Sequence, residues 1–99
     1  MRESKIEAYL VAEVTKLGGE VRKLKWIGRS HAPDRLVAYN GVWLVELKAP
    51  GRVERPGQAR ERERLTANGV RCWVIDSLEG VDNFIDVLRN SQWPFRSLI

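Results

Sequence analysis

Hydrophobic residues recur at helical spacing near both ends of the chain. Ile6, Leu10, Val14 and Leu17 lie four, four and three positions apart, which predicts a helix over about residues 4–17. Ser4 followed three positions later by Glu7 has the form of a capping box, and Gly18-Gly19 supplies a stop. Val81, Phe84, Ile85 and Leu88 make a second stripe, predicting a helix near 79–89 capped by Asp76 or Ser77. Between them the pattern turns β-like. Residues 20–26, 34–39, 42–48 and 70–75 read as strands, and Tyr39-Asn40-Gly41 is a hairpin signal between the second and third. A charged helix is expected from about Gln58 to Asn68, with Gly69 as its stop. The predicted order is α-β-β-β-α-β-α, an α/β fold. Its first three strands form a meander, and the fourth, reached through a helix, joins in parallel or mixed fashion.

Alternation along 42–48 puts Val42, Leu44, Glu46 and Lys48 on one face and Trp43, Val45 and Leu47 on the other. Glu46 thus stands in a strand that otherwise reads as core, where a carboxylate is costly unless it is paired or metal-bound. Asp34 opens the preceding strand, and hairpin register decides whether the two can meet. A two-residue turn sets residue 34 opposite 47, leaving the carboxylates on opposite faces. A three-residue loop over 39–41, with Gly41 left-handed, sets 34 opposite 46 on the same face. A bare pair of this kind repels; with a divalent cation between them it becomes a site of hard oxygens suited to Mg²⁺ or Mn²⁺. A functional role therefore predicts the odd-length loop.

Composition narrows the field further. Ninety-nine residues fit a single domain with a radius of gyration of roughly 13 Å. The single Cys72 excludes an internal disulfide or a multi-cysteine zinc site, and the single His31 excludes a histidine-pair metal site. No apolar run approaches membrane-spanning length and the N-terminus lacks a signal-peptide pattern, so a soluble cytoplasmic protein, in the host cell if viral, is expected. The net charge is +4, and twelve of the seventeen cations are Arg, the side chain that grips phosphate through a bidentate fork.

Pro33-Asp34, eleven intervening residues and then Glu46-Leu47-Lys48 resemble the PD-(D/E)xK nuclease motif. Glu7 on the first helix, Gly18-Gly19, Gly28-Arg29-Ser30, Ala49-Pro50-Gly51 and Gln58 extend this to a resemblance with the VRR-NUC (virus-type replication-repair nuclease) subfamily over about residues 4–75, in its stand-alone phage form. The resemblance implies a restriction-endonuclease-like core and a metal-dependent endonuclease acting as a homodimer on branched DNA, such as four-way junctions or flaps, and leaving a 5′-phosphate. It assigns metal binding to Asp34, Glu46 and the Leu47 carbonyl, with Glu7 assisting from the first helix. Lys48 would orient the attacking water or stabilise developing charge, and Gln58 would set the site geometry or contact phosphate. Lys23, Lys25, Arg29, Arg35 and Arg52 are the expected phosphate contacts. The run Arg60-Glu61-Arg62-Glu63-Arg64 reads as a solvated helix face or, with Arg52, Arg55, Arg60 and Arg64 on the site side, as phosphate contacts, and the aromatics of Gln92-Trp93-Pro94-Phe95 as core or dimer cover. The competing functions are a non-catalytic DNA-binding subunit and a protein-interaction module that keeps the nuclease fold.

Overall fold

Where the two apolar stripes and the charged run predict helices, the computed structural model, which describes residues 2–91, contains them: α1 (Glu3–Leu17), α2 (Pro56–Ala67, starting two residues before Gln58) and α3 (Leu78–Asn90). The strands are β1 (Glu20–Lys23), β2 (Arg35–Ala38), β3 (Val42–Leu47) and β4 (Cys72–Ile75). They form one mixed sheet in the order β1-β2-β3-β4, antiparallel through β3 and parallel between β3 and β4. The α-β-β-β-α-β-α order and the mixed sheet agree with the sequence pattern. The radius of gyration is 13.6 Å.

The two stripes account for one face of the sheet. Ile6, Leu10 and Val14 of α1 and Val81, Phe84, Ile85 and Leu88 of α3 pack on Val37, Trp43, Val45, Leu47 and Ile75. Trp43, Trp73 and Phe84 meet largely edge-on, with ring centroids 5.6–5.9 Å apart, an arrangement that satisfies the aromatic quadrupoles. Tyr9 donates to Asp82 at 2.6 Å and ties α1 to α3 outside this core. The tail aromatics 92–95 lie outside the described residues. Among the described residues no helix is long and apolar enough to cross a membrane.

Two caps differ in quality. Ser77 accepts from the Gly80 N–H at 2.8 Å and starts α3 as expected. At α1 the Ser4–Glu7 capping box does not form: the helix begins one residue earlier, Arg2 is its N-cap, and no side chain caps it. Ser4 is inside the first turn, so its hydroxyl cannot reach the orphan N–H groups, and Glu7 turns to another partner. At the other end Gly18, at φ 91°, closes the helix: its N–H bonds to the Thr15 carbonyl and the Gly19 N–H to the Val14 carbonyl. The next residue, Gly19, packs so closely that a Cβ there would lie 2.9 Å from the Ala38 carbonyl oxygen. That approach lets the chain leave α1 and pair at once with β2.

Candidate active site

Hairpin register, the open question of the sequence, is set by a three-residue loop. Ala38 pairs with Val42, Leu36 with Leu44 and Arg35 with Val45. Residues 39–41 make the turn, with Asn40 and Gly41 both at positive φ and the Tyr39 N–H bonded to the Gly41 carbonyl at 2.9 Å. One further step along this register sets Asp34 opposite Glu46. Asp34 also fastens the open end of the hairpin: its Oδ2 accepts the Leu47 N–H at 2.7 Å, and its carbonyl accepts the Leu24 N–H at 3.1 Å.

Glu46 is 4% exposed, and its Oε1 has no hydrogen-bond partner among the described residues. Burial and the facing Asp34 charge push its carboxyl up from 4.5 to about 7, against the smaller opposing pull of Lys48. Lys48 Nζ stands 4.0 Å from Glu46 Oε2 and donates to Gln58 Oε1, and the same oxygen receives the Arg55 N–H at 3.4 Å. Gln58 is itself buried, in the first turn of α2. The four residues Asp34, Glu46, Lys48 and Gln58 are thereby brought together at the point where β3 ends and α2 begins, on the sheet face away from the main core.

Glu7 is placed differently. Its carboxylate forms an ion pair with Arg35 Nη2, while Arg35 Nη1 donates to the Asp34 carbonyl at 2.7 Å. Among the described residues no three His, Cys, Asp or Glu side chains gather as one metal-binding group, so Glu7 does not join Asp34 and Glu46 as a third acid. Arg35, also expected at a phosphate, is half-buried in this ion pair. Of the other expected phosphate contacts, Lys23, Lys25 and Arg52 are exposed, and Arg29 is exposed but pairs with Glu61 at 2.9 Å. Arg52 and Arg55 line a cleft of about 600 Å³ that runs from Lys48 to Arg2 and Glu3 at the start of α1.

This fold and site can be set beside known proteins. No protein-family model matches the sequence. A phage protein named "Putative nuclease p44", from Acyrthosiphon pisum secondary endosymbiont phage 1, is 49% identical over 79 residues, covering 78% of this chain and 85% of that protein. A solved structure described as a VRR_NUC domain shares the fold with a TM-score of 0.78 and 39% identity, covering 85% of this chain and 94% of that one. The chain belongs to the VRR-NUC nuclease family. The VRR-NUC fold explains why Asp34 and Glu46-Leu47-Lys48 lie on adjacent antiparallel strands: the hairpin is what converts an eleven-residue separation into a face-to-face pair.

One residue of this VRR-NUC chain was hidden in the charge pattern. Glu61, within the sign-alternating run that reads as solvated, is 4% exposed. Its carboxylate accepts from Trp26 Nε1 at 2.6 Å, from Arg29 Nη2 at 2.9 Å and from Arg64 Nη2 at 2.8 Å. The hydrogen bonds from Arg64 and Trp26 and the Arg29 charge hold its carboxyl below the usual range. Glu61 therefore latches the segment after β1 onto α2, and that segment leads directly into Asp34. The signal available in the sequence was Trp26, an indole donor in a loop that needs an acceptor when it packs down.

Proposed function

We propose that this chain is a divalent-metal-dependent endodeoxyribonuclease that hydrolyses phosphodiester bonds, preferentially in branched DNA, and works as a homodimer. One observation carries the metal-dependent reading: a buried carboxylate, Glu46, faces a second carboxylate and keeps one oxygen without a donor. In an apolar strand such a group is costly as a purely structural feature, and a bound cation removes the cost. Two carboxylates and a backbone carbonyl also suit Mg²⁺ or Mn²⁺, since Mg²⁺ usually takes one or two protein carboxylates and completes its shell with water and phosphate oxygens. Asp34 and Glu46 would hold the ion, with the Leu47 carbonyl beside them.

When bound, the ion supplies Lewis acidity toward the phosphoryl group and eases deprotonation of water. The residues of the chain do the rest. Lys48, pinned by Gln58 next to Glu46, presents a fixed ammonium to the charge that develops on the phosphoryl oxygens as water attacks phosphorus and the 3′-oxygen leaves. Gln58 positions Lys48 by occupying it from the side of α2. Glu7 holds Arg35, which in turn holds the Asp34 backbone at the end of β2. Lys25 and Arg29 border the groove that Asp34 lines, Arg52 borders the cleft that Lys48 lines, and Lys23 is exposed on β1, so these cations would meet the strands of a substrate. A two-fold dimer would present two such sites to the equivalent strands of a junction.

The test is to incubate the purified chain with four-way junction, flap and plain duplex DNA in Mg²⁺ or Mn²⁺. Nicking that requires the metal and disappears in Asp34→Asn and Glu46→Gln supports the reading. A wild-type protein that leaves all three substrates intact with both ions refutes it. Equal rates on all three substrates would leave an endonuclease without preference for branches. A monomer by light scattering at assay concentration would remove the dimer from the proposal.

A further inference from the structure

The one histidine of the chain has a placement that the roles above do not use. His31 lies in the loop between β1 and β2, three residues before Asp34, with φ 70°. A non-glycine residue in the left-handed region is uncommon, though His is among the types enriched there. The imidazole comes to rest on Gly57, in the first turn of α2. A Cβ at Gly57 would fall 2.5 Å from both Cε1 and Nε2 of the ring, so the ring occupies space that only glycine leaves open.

That seat lies between two parts of the site. On one side His31 lines the small cavity that holds Glu46 and Gln58. On the other it borders an open groove of about 420 Å³ shared with Lys25, Arg29, Ser30, Asp34 and Arg55. The residue is exposed, and neither ring nitrogen has a hydrogen-bond partner among the described residues. The loop is held down elsewhere by the Glu61 carboxylate through Trp26 and Arg29, so the ring's position is supported at two points. A ring whose Nε2 end sits against Gly57, and which borders a groove where the cations Lys25, Arg29 and Arg55 outnumber the single carboxylate of Asp34, is arranged to meet an anion there.

We propose that His31 is a substrate-contacting residue that donates an imidazole N–H to a phosphate oxygen of the DNA strand in this groove, and that Gly57 is glycine in order to seat it. The proposal rests on the nuclease reading. Because the contact is to the bound strand rather than to the reacting phosphorus, its loss raises KM and leaves kcat nearly unchanged.

Cleavage kinetics and melting temperature are to be measured for wild type, His31→Ala, His31→Asn, Gly57→Ala and the double variant. His31→Ala is expected to raise KM about three- to tenfold, the effect of one phosphate hydrogen bond. His31→Asn, which tolerates positive φ and keeps an N–H donor, is expected to fall closer to wild type. Gly57→Ala displaces the ring and raises KM by a similar factor. The double variant is no worse than His31→Ala alone, because both changes remove the same contact. An unchanged KM in His31→Ala overturns the proposal, as does a fall in kcat at constant KM. Full additivity of the two substitutions, or KM losses that track a lower melting temperature, also overturn it. A wild-type protein that cleaves nothing removes the nuclease reading and this contact with it, whereas an active wild type matched by His31→Ala removes only the contact.

Discussion

Glu46→Gln separates the cost of a buried carboxylate from its use. In metal-free protein the wild-type carboxyl is pushed up to about 7 from 4.5, by burial first and by Asp34 second. The folded protein therefore keeps this proton to higher pH than the unfolded chain does. Stability contributed by the group is full below about 4.5, declines as pH rises toward 7 and stays low above it. A displacement of that size corresponds to a ceiling of about 3 kcal/mol at 1.36 kcal/mol per pH unit. Solvent screening at the mouth of the site brings the expected value to about 1–2 kcal/mol. Gln has nearly the same shape and no charge, so Glu46→Gln should melt about 5–10 °C above wild type at pH 8 in EDTA. The difference should shrink toward zero at pH 4. Adding Mn²⁺ should raise the wild-type melting temperature and leave the variant unmoved, because only the wild type binds the ion in its folded state. Thermal denaturation followed by circular dichroism reads all of these. A variant no more stable than wild type at pH 8, or a gap that does not close in acid, would refute the claim that Glu46 is a strained carboxylate.

Three further outcomes follow from the same contacts. Lys48→Met should lower kcat about 10²–10³-fold with a much smaller change in KM, as expected for a charge that acts on the transition state, checked by single-turnover cleavage. Glu61→Gln should free the segment between β1 and β2, seen as faster limited proteolysis within 24–33. Wild type should show the same loosening as pH falls below the ordinary carboxylate range, because the pKa of Glu61 is depressed in the folded state. Gly19→Ala should destabilise the domain by about 1–3 kcal/mol, because its Cβ would press on Val14 Cγ1 at 2.8 Å and on the Ala38 carbonyl oxygen at 2.9 Å, and chemical denaturation measures it.

Much of the architecture was legible because its signals are local. An apolar stripe ending at Gly18, a charged run ending at Gly69, a second stripe capped by Ser77 and β-rich runs bounded by turn residues give the seven elements in order. The boundaries moved where tertiary contacts compete with local preference. The first strand, expected over 20–26, ends at Lys23 because Trp26 is drawn to Glu61 across the fold. The Ser4–Glu7 cap reading failed for a similar reason: Glu7 finds Arg35, far along the chain on β2, and the helix starts without it. Sign alternation hid Glu61, because it says nothing about which charges a neighbouring loop will cover, and Trp26 signals a need for an acceptor without naming which one.

By itself the sequence determined the α/β class, the hairpin, the two apolar stripes and the acid types able to form a hard-oxygen pair. Each depends on residues within a few positions of one another, where backbone geometry dictates which side chains share a face. Only the tertiary structure decided that the loop has three residues, so that Asp34 faces Glu46 rather than the opposite side of the sheet. It also assigned Arg35 to Glu7 and buried Glu61 beneath Trp26. Those choices depend on which distant surfaces exclude water together, and one-dimensional spacing carries no record of that.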